Sequence, residues 1–363
     1  MVIEKAKETM SARERVRRTF DFEKTDRVTI GYEANGLIHQ KLLTALGVSD
    51  EGLQTALGVD YFGVNVSYTG RPLFDEVPGR QTNPLDGFRT RWIENQSGGG
   101  YWDFCDFPLQ GADDDEIMNY PVADPDDFNY DGVAGLIARN RGFALHIGGP
   151  GVPDVINSMG RIMGMEDILC NLQLEHEPTL SLIRRRAESS LGVFERILSK
   201  YKDEIDFMWL GEDLGTQIAP MISLELYRKQ IKPVHKVFVD LANSYDIPVL
   251  IHTCGSSSWA YEDFIELGIR GVDTLQPEAV NMNPEYLVEH FGGRLNFRGC
   301  ISTAGALAYG SVREVEEVCK KTLEIMKPAR GYHFAPTHMI QDNTPVENVI
   351  AMYQSAHNFG GYV

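Results

Sequence analysis

The chain has 363 residues, of which 43% are hydrophobic and 24% charged, and it carries a formal net charge of −18. Such a composition supports a large folded core, while the acidity argues against nucleic acid and anionic membrane surfaces as partners. The one locally basic stretch, RERVRR at 13–18, is short and interrupted by glutamate. No run approaches the ~18 apolar residues that a membrane span requires, and the charged N-terminus lacks a signal-peptide core. Cys105, Cys170, Cys254, Cys300 and Cys319 are odd in number and scattered, which fits a reduced cytoplasmic protein better than a disulfide framework.

Taken in order, the sequence predicts one barrel domain over 1–363, with an N-terminal helical extension at 1–26. The first β-rich apolar runs are RVTIGYEA (27–34) and DYFGVNV (60–66). The rhythm then breaks over 67–142, which reads as an insertion. Within it, GFRTRWIENQSGGGYWDFCDF suggests a hairpin turning at Ser-Gly-Gly-Gly, and QGADDDEIMNYPVADPDDF suggests a solvated acidic loop. The alternation resumes with FALHIGG (143–149), FMWLGED (207–213), IPVLIHT (247–253), GVDTLQP (271–277), LNFRGCI (295–301) and YHFAPTH (332–338).

Helix signals separate the later runs. Asn283–Pro284 predicts an N-cap followed by a first-turn proline. Ser311 with Glu314 predicts a capping box, and Thr344–Pro345–Glu347 predicts another helix start. Eight strand–helix units predict an α/β fold, a (β/α)8 TIM barrel with an insertion after its second strand. An open doubly wound sheet is the alternative, but its GxGxxG fingerprint is missing from the first unit.

In such a barrel, chemistry gathers where strands end in loops at the C-terminal mouth. His252 and Cys254 lie two residues apart at the end of an apolar run, so alternation places both on one face. Imidazole and thiolate suit zinc, and a catalytic zinc needs a third protein ligand and an open position. Cys300 and His338, at the ends of two later strands, are candidates for that ligand. Glu212, Asp213 and Glu278 are carboxylate candidates, with Glu212 and Asp213 also placed for catalysis. Asn35, Gly149, Gln217 and Glu278 occupy strand ends where a substrate would be touched. The Gly148–Gly149–Pro150–Gly151 turn brings backbone close to a ligand or simply makes a tight turn.

These motifs together resemble the uroporphyrinogen decarboxylase superfamily. The resemblance rests on MSARERVRRTFDFEKTDRVTI, the IGGP turn, IHTCG, RGCISTA and APTHMIQDNTPVENVIAMY, and it spans nearly the whole chain. It implies a (β/α)8 barrel, in agreement with the strand count. One branch of the superfamily is uroporphyrinogen decarboxylase itself, which works without a cofactor. The other comprises cobalamin-related methyltransferases that use zinc to activate a thiol or similar acceptor.

The sequence is closer to the methyltransferases. Where the decarboxylase carries an arginine-rich segment for substrate carboxylates, this chain has GYEANGL with Glu33. His252 and Cys254 match the HxC of the methyltransferases, whereas His338 stands where they carry a further cysteine. The resemblance thus implies methyl transfer between a corrinoid, on a partner protein or free, and a thiol or similar acceptor, with zinc bound. It is also compatible with a homodimer. The alternatives are decarboxylation of a tetrapyrrole or other carboxylate, and a non-catalytic barrel that binds a corrinoid or tetrapyrrole.

Overall fold

A computed structural model describes residues 2–94 and 100–362. The strands are β1 (Thr29–Ile30), β2 (Tyr61–Gly63), β3 (Gln81–Thr82), β4 (Arg89–Glu94), β5 (Gly100–Cys105), β6 (Ala144–Pro153), β7 (Phe207–Gly211), β8 (Val249–His252), β9 (Gly271–Leu275), β10 (Asn296–Ile301) and β11 (Tyr332–Pro336). Eight of them form one sheet in the order β1-β11-β10-β9-β8-β7-β6-β2, and every pairing in it is parallel. The sheet curls into a nearly closed (β/α)8 barrel, and each of the eight apolar runs supplies one strand. Its two edges meet where the Asp60 amide donates to the Ile30 carbonyl at 2.9 Å and the Asp60 carboxylate accepts from the Ile30 amide at 2.7 Å.

Strand alternation sorts the apolar side chains into two clusters. Val249, Ile251, Met208 and Leu210 join the core shared with the surrounding helices. Leu250, Phe207, Trp209 and Tyr61 face the barrel interior, where Val16 and Phe20 pack against them. Burying each such side chain contributes roughly 1.5–3 kcal/mol. Val16 and Phe20 come from the helix Ala12–Phe20, whose N-cap Ser11 accepts from the Glu14 amide at 3.1 Å. This helix covers the end of the barrel opposite the mouth. It is held there by Arg15, which reaches Asp26 at 2.6 Å and Asp60 at 2.5 Å, while Arg27 also binds Asp60 at 2.6 Å. Much of the MSARERVRRTFDFEKTDRVTI motif is therefore structural: its charges tie the closing helix to the first two strands.

Inside 67–142, β3, β4 and β5 make a separate antiparallel sheet, and β4 pairs with β5 from Arg89↔Cys105 to Glu94↔Gly100. The expected Ser-Gly-Gly-Gly turn falls largely on residues 95–99, outside the described residues. Among the helices, Asn283 caps Pro284–Phe291, and Ser311 with Glu314 forms the expected capping box. The last helix differs from expectation. It runs Val346–Phe359 with Pro345 at the N-cap position and no side-chain cap, so Thr344 lies one residue too early to cap it. Among the described residues no helix is long and apolar enough to cross a membrane.

Candidate metal centre

The register of three neighbouring strands builds the site. Gly211 of β7 pairs with His252 of β8, and His252 pairs with Asp273 of β9. Two residues beyond Gly211 lies Asp213, and two beyond His252 lies Cys254, so both are carried onto the mouth. The ligand atoms of Asp213, His252 and Cys254 all lie within 4.8 Å of one another. Cys254 Sγ is 3.4 Å from His252 Nε2, and Asp213 Oδ1 is 3.8 Å from the same nitrogen.

Backbone contacts fix this spacing. Gly255 has φ 68°, and a Cβ there would come within 2.3 Å of the Gly215 carbonyl oxygen. Only glycine lets the loops after β7 and β8 abut in this way. The Cys254 amide donates to Asp213 Oδ1 at 2.8 Å, Asn157 Nδ2 donates to Asp213 Oδ2 at 2.8 Å, and the Gly255 amide donates to Gln276 at 2.8 Å.

Below the mouth the groups become fully buried. His252 Nδ1 lies 2.9 Å from Asp273 Oδ2 and 2.6 Å from Thr274 Oγ1. Asp273 Oδ1 accepts from Arg298 Nη1 at 2.5 Å. The guanidinium also donates to Tyr61 Oη at 2.6 Å and Glu33 Oε2 at 3.0 Å, and it lies over the Trp209 ring at 4.6 Å. Burial alone would raise the Asp273 pKa, but Arg298 and then His252 hold it down at about 2. Burial alone would lower the His252 pKa; the hydrogen bond to Asp273, followed by the contact with Cys254, lifts it well above the ordinary imidazole value. Burial raises the Cys254 thiol to about 11 despite the neighbouring imidazole. A cation bound by these groups would compete with protons for the thiol and for the imidazole, so its binding would strengthen as pH rises.

The remaining predicted residues fall in different places. Glu212 is fully buried, and its carboxylate accepts from the Val155 and Ile156 amides at 2.8 and 2.9 Å, capping the helix Val155–Met163. Burial raises its pKa to about 8, and burial with the charges of Glu212 and Asp213 raises that of the adjacent Asp154 to about 7. His338 is exposed, its ring centroid 6.2 Å from that of His252. Cys300 is 1% exposed and belongs to the apolar core shared with the helices, so its thiol does not join the group at the mouth. Gly299 and Cys300 adopt φ 120° and 67°, beside a register shift between β10 and β9, which displaces the side chain from simple alternation.

Among the candidate substrate contacts, Asn35 uses its side chain to cap the helix Gly36–Leu46, and Gln217 Nε2 donates to Gln276 at 3.3 Å. Glu278 is exposed. Gly149 borders a cavity of about 400 Å³ with Asn65, Leu85, Val122, Met159 and Phe194, placed between β6, the insertion and the helix Glu177–Tyr201. The neighbouring Gly148 has φ 79°, and a Cβ there would meet the Trp209 carbonyl at 2.3 Å, so its role is close packing of β6 on β7.

Residues 212–359 match the family Uroporphyrinogen decarboxylase (URO-D). The URO-D segment begins at the carboxylate pair Glu212–Asp213 and includes IHTCG, RGCISTA and APTHM, so the resemblance carried by those motifs is shown there. A solved structure, a methyltransferase from Methanosarcina mazei, superposes with a TM-score of 0.63 over 97% of this chain and 99% of that one, at 14% identity. At that identity the likeness shows the shared barrel. No curated protein matches the sequence.

Sequence reasoning missed Asp273, Thr274, Arg298 and Asn157. A signal for two of them was present. GVDTL and LNFRG each place a full charge within an apolar strand run, and a buried charge demands a partner. Asp273 and Arg298, of opposite sign on consecutive strands, supply one another. Thr274 and Asn157 give no comparable signal.

Proposed function

We propose that the protein is a zinc-dependent methyltransferase that moves a methyl group between a corrinoid and a thiol or similar acceptor, with Asp213, His252 and Cys254 holding the zinc. The observation that carries this reading is the convergence of one carboxylate, one imidazole and one thiol within 4.8 Å at the barrel mouth. Three protein ligands with a fourth position open to the mouth is the donor pattern of a catalytic zinc. Bound there, zinc would act as a Lewis acid that lowers the pKa of an acceptor thiol toward the thiolate.

The chain's own groups prepare that chemistry. Asn157 and the Cys254 amide orient the Asp213 carboxylate, and Asp273 orients the imidazole. The alternative, decarboxylation of a tetrapyrrole, calls for cationic side chains to receive several carboxylates. Arg298 is fully buried and already engaged by Asp273 and Glu33, which favours methyl transfer.

Metal analysis of the purified protein tests the reading. About one zinc per chain is expected, lost in His252→Ala and Cys254→Ala. Methyl transfer from methylcobalamin to a thiol should then stop on chelation and return with zinc. Wild-type protein that binds no zinc would overturn the proposal.

A further inference from the structure

We infer that Arg298 and Asp273 are positioning residues that dictate which nitrogen of His252 is free to bind a ligand. Asp273 spans two partners: Oδ1 takes Arg298 Nη1 and Oδ2 takes His252 Nδ1. A carboxylate only accepts hydrogen bonds, so the second contact requires a proton on Nδ1. The sole remaining nitrogen, Nε2, is the one that faces Cys254 Sγ and Asp213 Oδ1. Thr274 Oγ1, 2.6 Å from Nδ1, can accept the same proton.

Arg298 makes the arrangement directional. Its Nε is committed to Tyr61 and its Nη1 to Asp273 and Glu33, and the guanidinium is fully buried against the Trp209 ring with no acceptor to spare. It therefore demands an acceptor from residue 273 and imposes an orientation on whatever stands there. In Asp273→Asn, the amide must turn its oxygen to Arg298 and its NH2 to His252. An NH2 needs an acceptor, so the ring must carry its proton on Nε2 instead, which closes the nitrogen that faces the mouth. Removing the guanidinium as well, in Asp273→Asn/Arg298→Met, frees the amide to rotate and restores the original tautomer in part. A merely structural role for Arg298 predicts further damage from the second substitution, not rescue.

The inference about the ring stands by itself, and its zinc arm rests on the function proposed above. Protein labelled with 15N at histidine reports the ring nitrogens directly, and His252→Gln assigns the signals. In the wild type Nδ1 should be protonated both in the free protein and after titration with zinc. Asp273→Asn should shift the proton to Nε2 and weaken zinc binding, measured by competition with a chromophoric chelator, by about 10–100-fold. The double variant should recover part of both. Wild-type protein whose Nδ1 lacks a proton, or an Asp273→Asn variant with unchanged ring signals and zinc affinity, overturns the inference. If the wild type binds no zinc, the metal reading fails, and the Nδ1 signal of the free wild type still decides the positioning role.

Discussion

Two strand ends look alike in sequence and behave differently in the fold. β8 ends at His252 and continues into Thr-Cys-Gly, and β10 ends Gly-Cys-Ile before Ser302. Each brings a cysteine beside a glycine to the same level of the barrel. At β8 the strand keeps its alternation through His252, and the positive-φ glycine comes after Cys254, so the thiol stays on the mouth side. At β10 the irregular backbone comes at Gly299 and Cys300 themselves, and the thiol is absorbed by the core. Where a glycine sits relative to a cysteine decides whether the sulfur is chemistry or packing.

The sharpest test of that difference is substitution of the β8 ligands. His252→Ala or Cys254→Ser should reduce zinc affinity by about 100-fold or more, since each supplies a sizeable share of the binding free energy of such a site. Asp213→Asn should cost less, about 10-fold, because the amide oxygen can still coordinate without its charge. Chelator competition reads both.

A third test uses the buried carboxylates behind the mouth. Glu212 and Asp154 hold pKa values of about 8 and about 7 in the folded protein, raised above their ordinary values. The folded state therefore keeps protons that the unfolded chain has released. Their stabilising contribution is complete at acid pH near the ordinary carboxylate values and is lost as pH rises toward 8. Metal-free protein should melt at a lower temperature at pH 9 than at pH 6, and Glu212→Gln, which removes the titrating group while keeping one acceptor oxygen for the helix amides, should flatten that slope.

The smallest effect is expected on the β10 side. Cys300→Ala should leave zinc affinity unchanged and cost about 1–2 kcal/mol of stability through lost packing. In the folded protein Cys300 should resist alkylation while exposed Cys170 reacts. A loss of zinc from Cys300→Ala would erase the contrast between the two strands.

The barrel was legible because its eight apolar runs are separated by strong helix signals, and helix starts such as Asn283–Pro284 and Ser311–Glu314 have local causes. The pairing of His252 with Cys254 followed from a period of two. The destination of Cys300 was not legible, because a register shift and two positive φ angles depend on how β10 meets β9. Glu212 and Asp213 are adjacent and chemically alike in sequence, yet alternation sends one to cap a buried helix and the other to the mouth. Nothing in the chain near residue 212 announces that the helix beginning at Val155 lacks a cap of its own. Asp273 and Arg298 could have been found by asking what a charge does inside an apolar strand.

The contact between Gly215 and Gly255 has a consequence for how the centre chooses its ion. Two loops that touch through main chain cannot drift apart without breaking the fold, so the gap between Asp213 and Cys254 is set as the barrel assembles, before any cation arrives. On the proposed function, selection would then work as a gauge: an ion would be accepted by how well it suits a width already cut, rather than by how tightly flexible arms can wrap it.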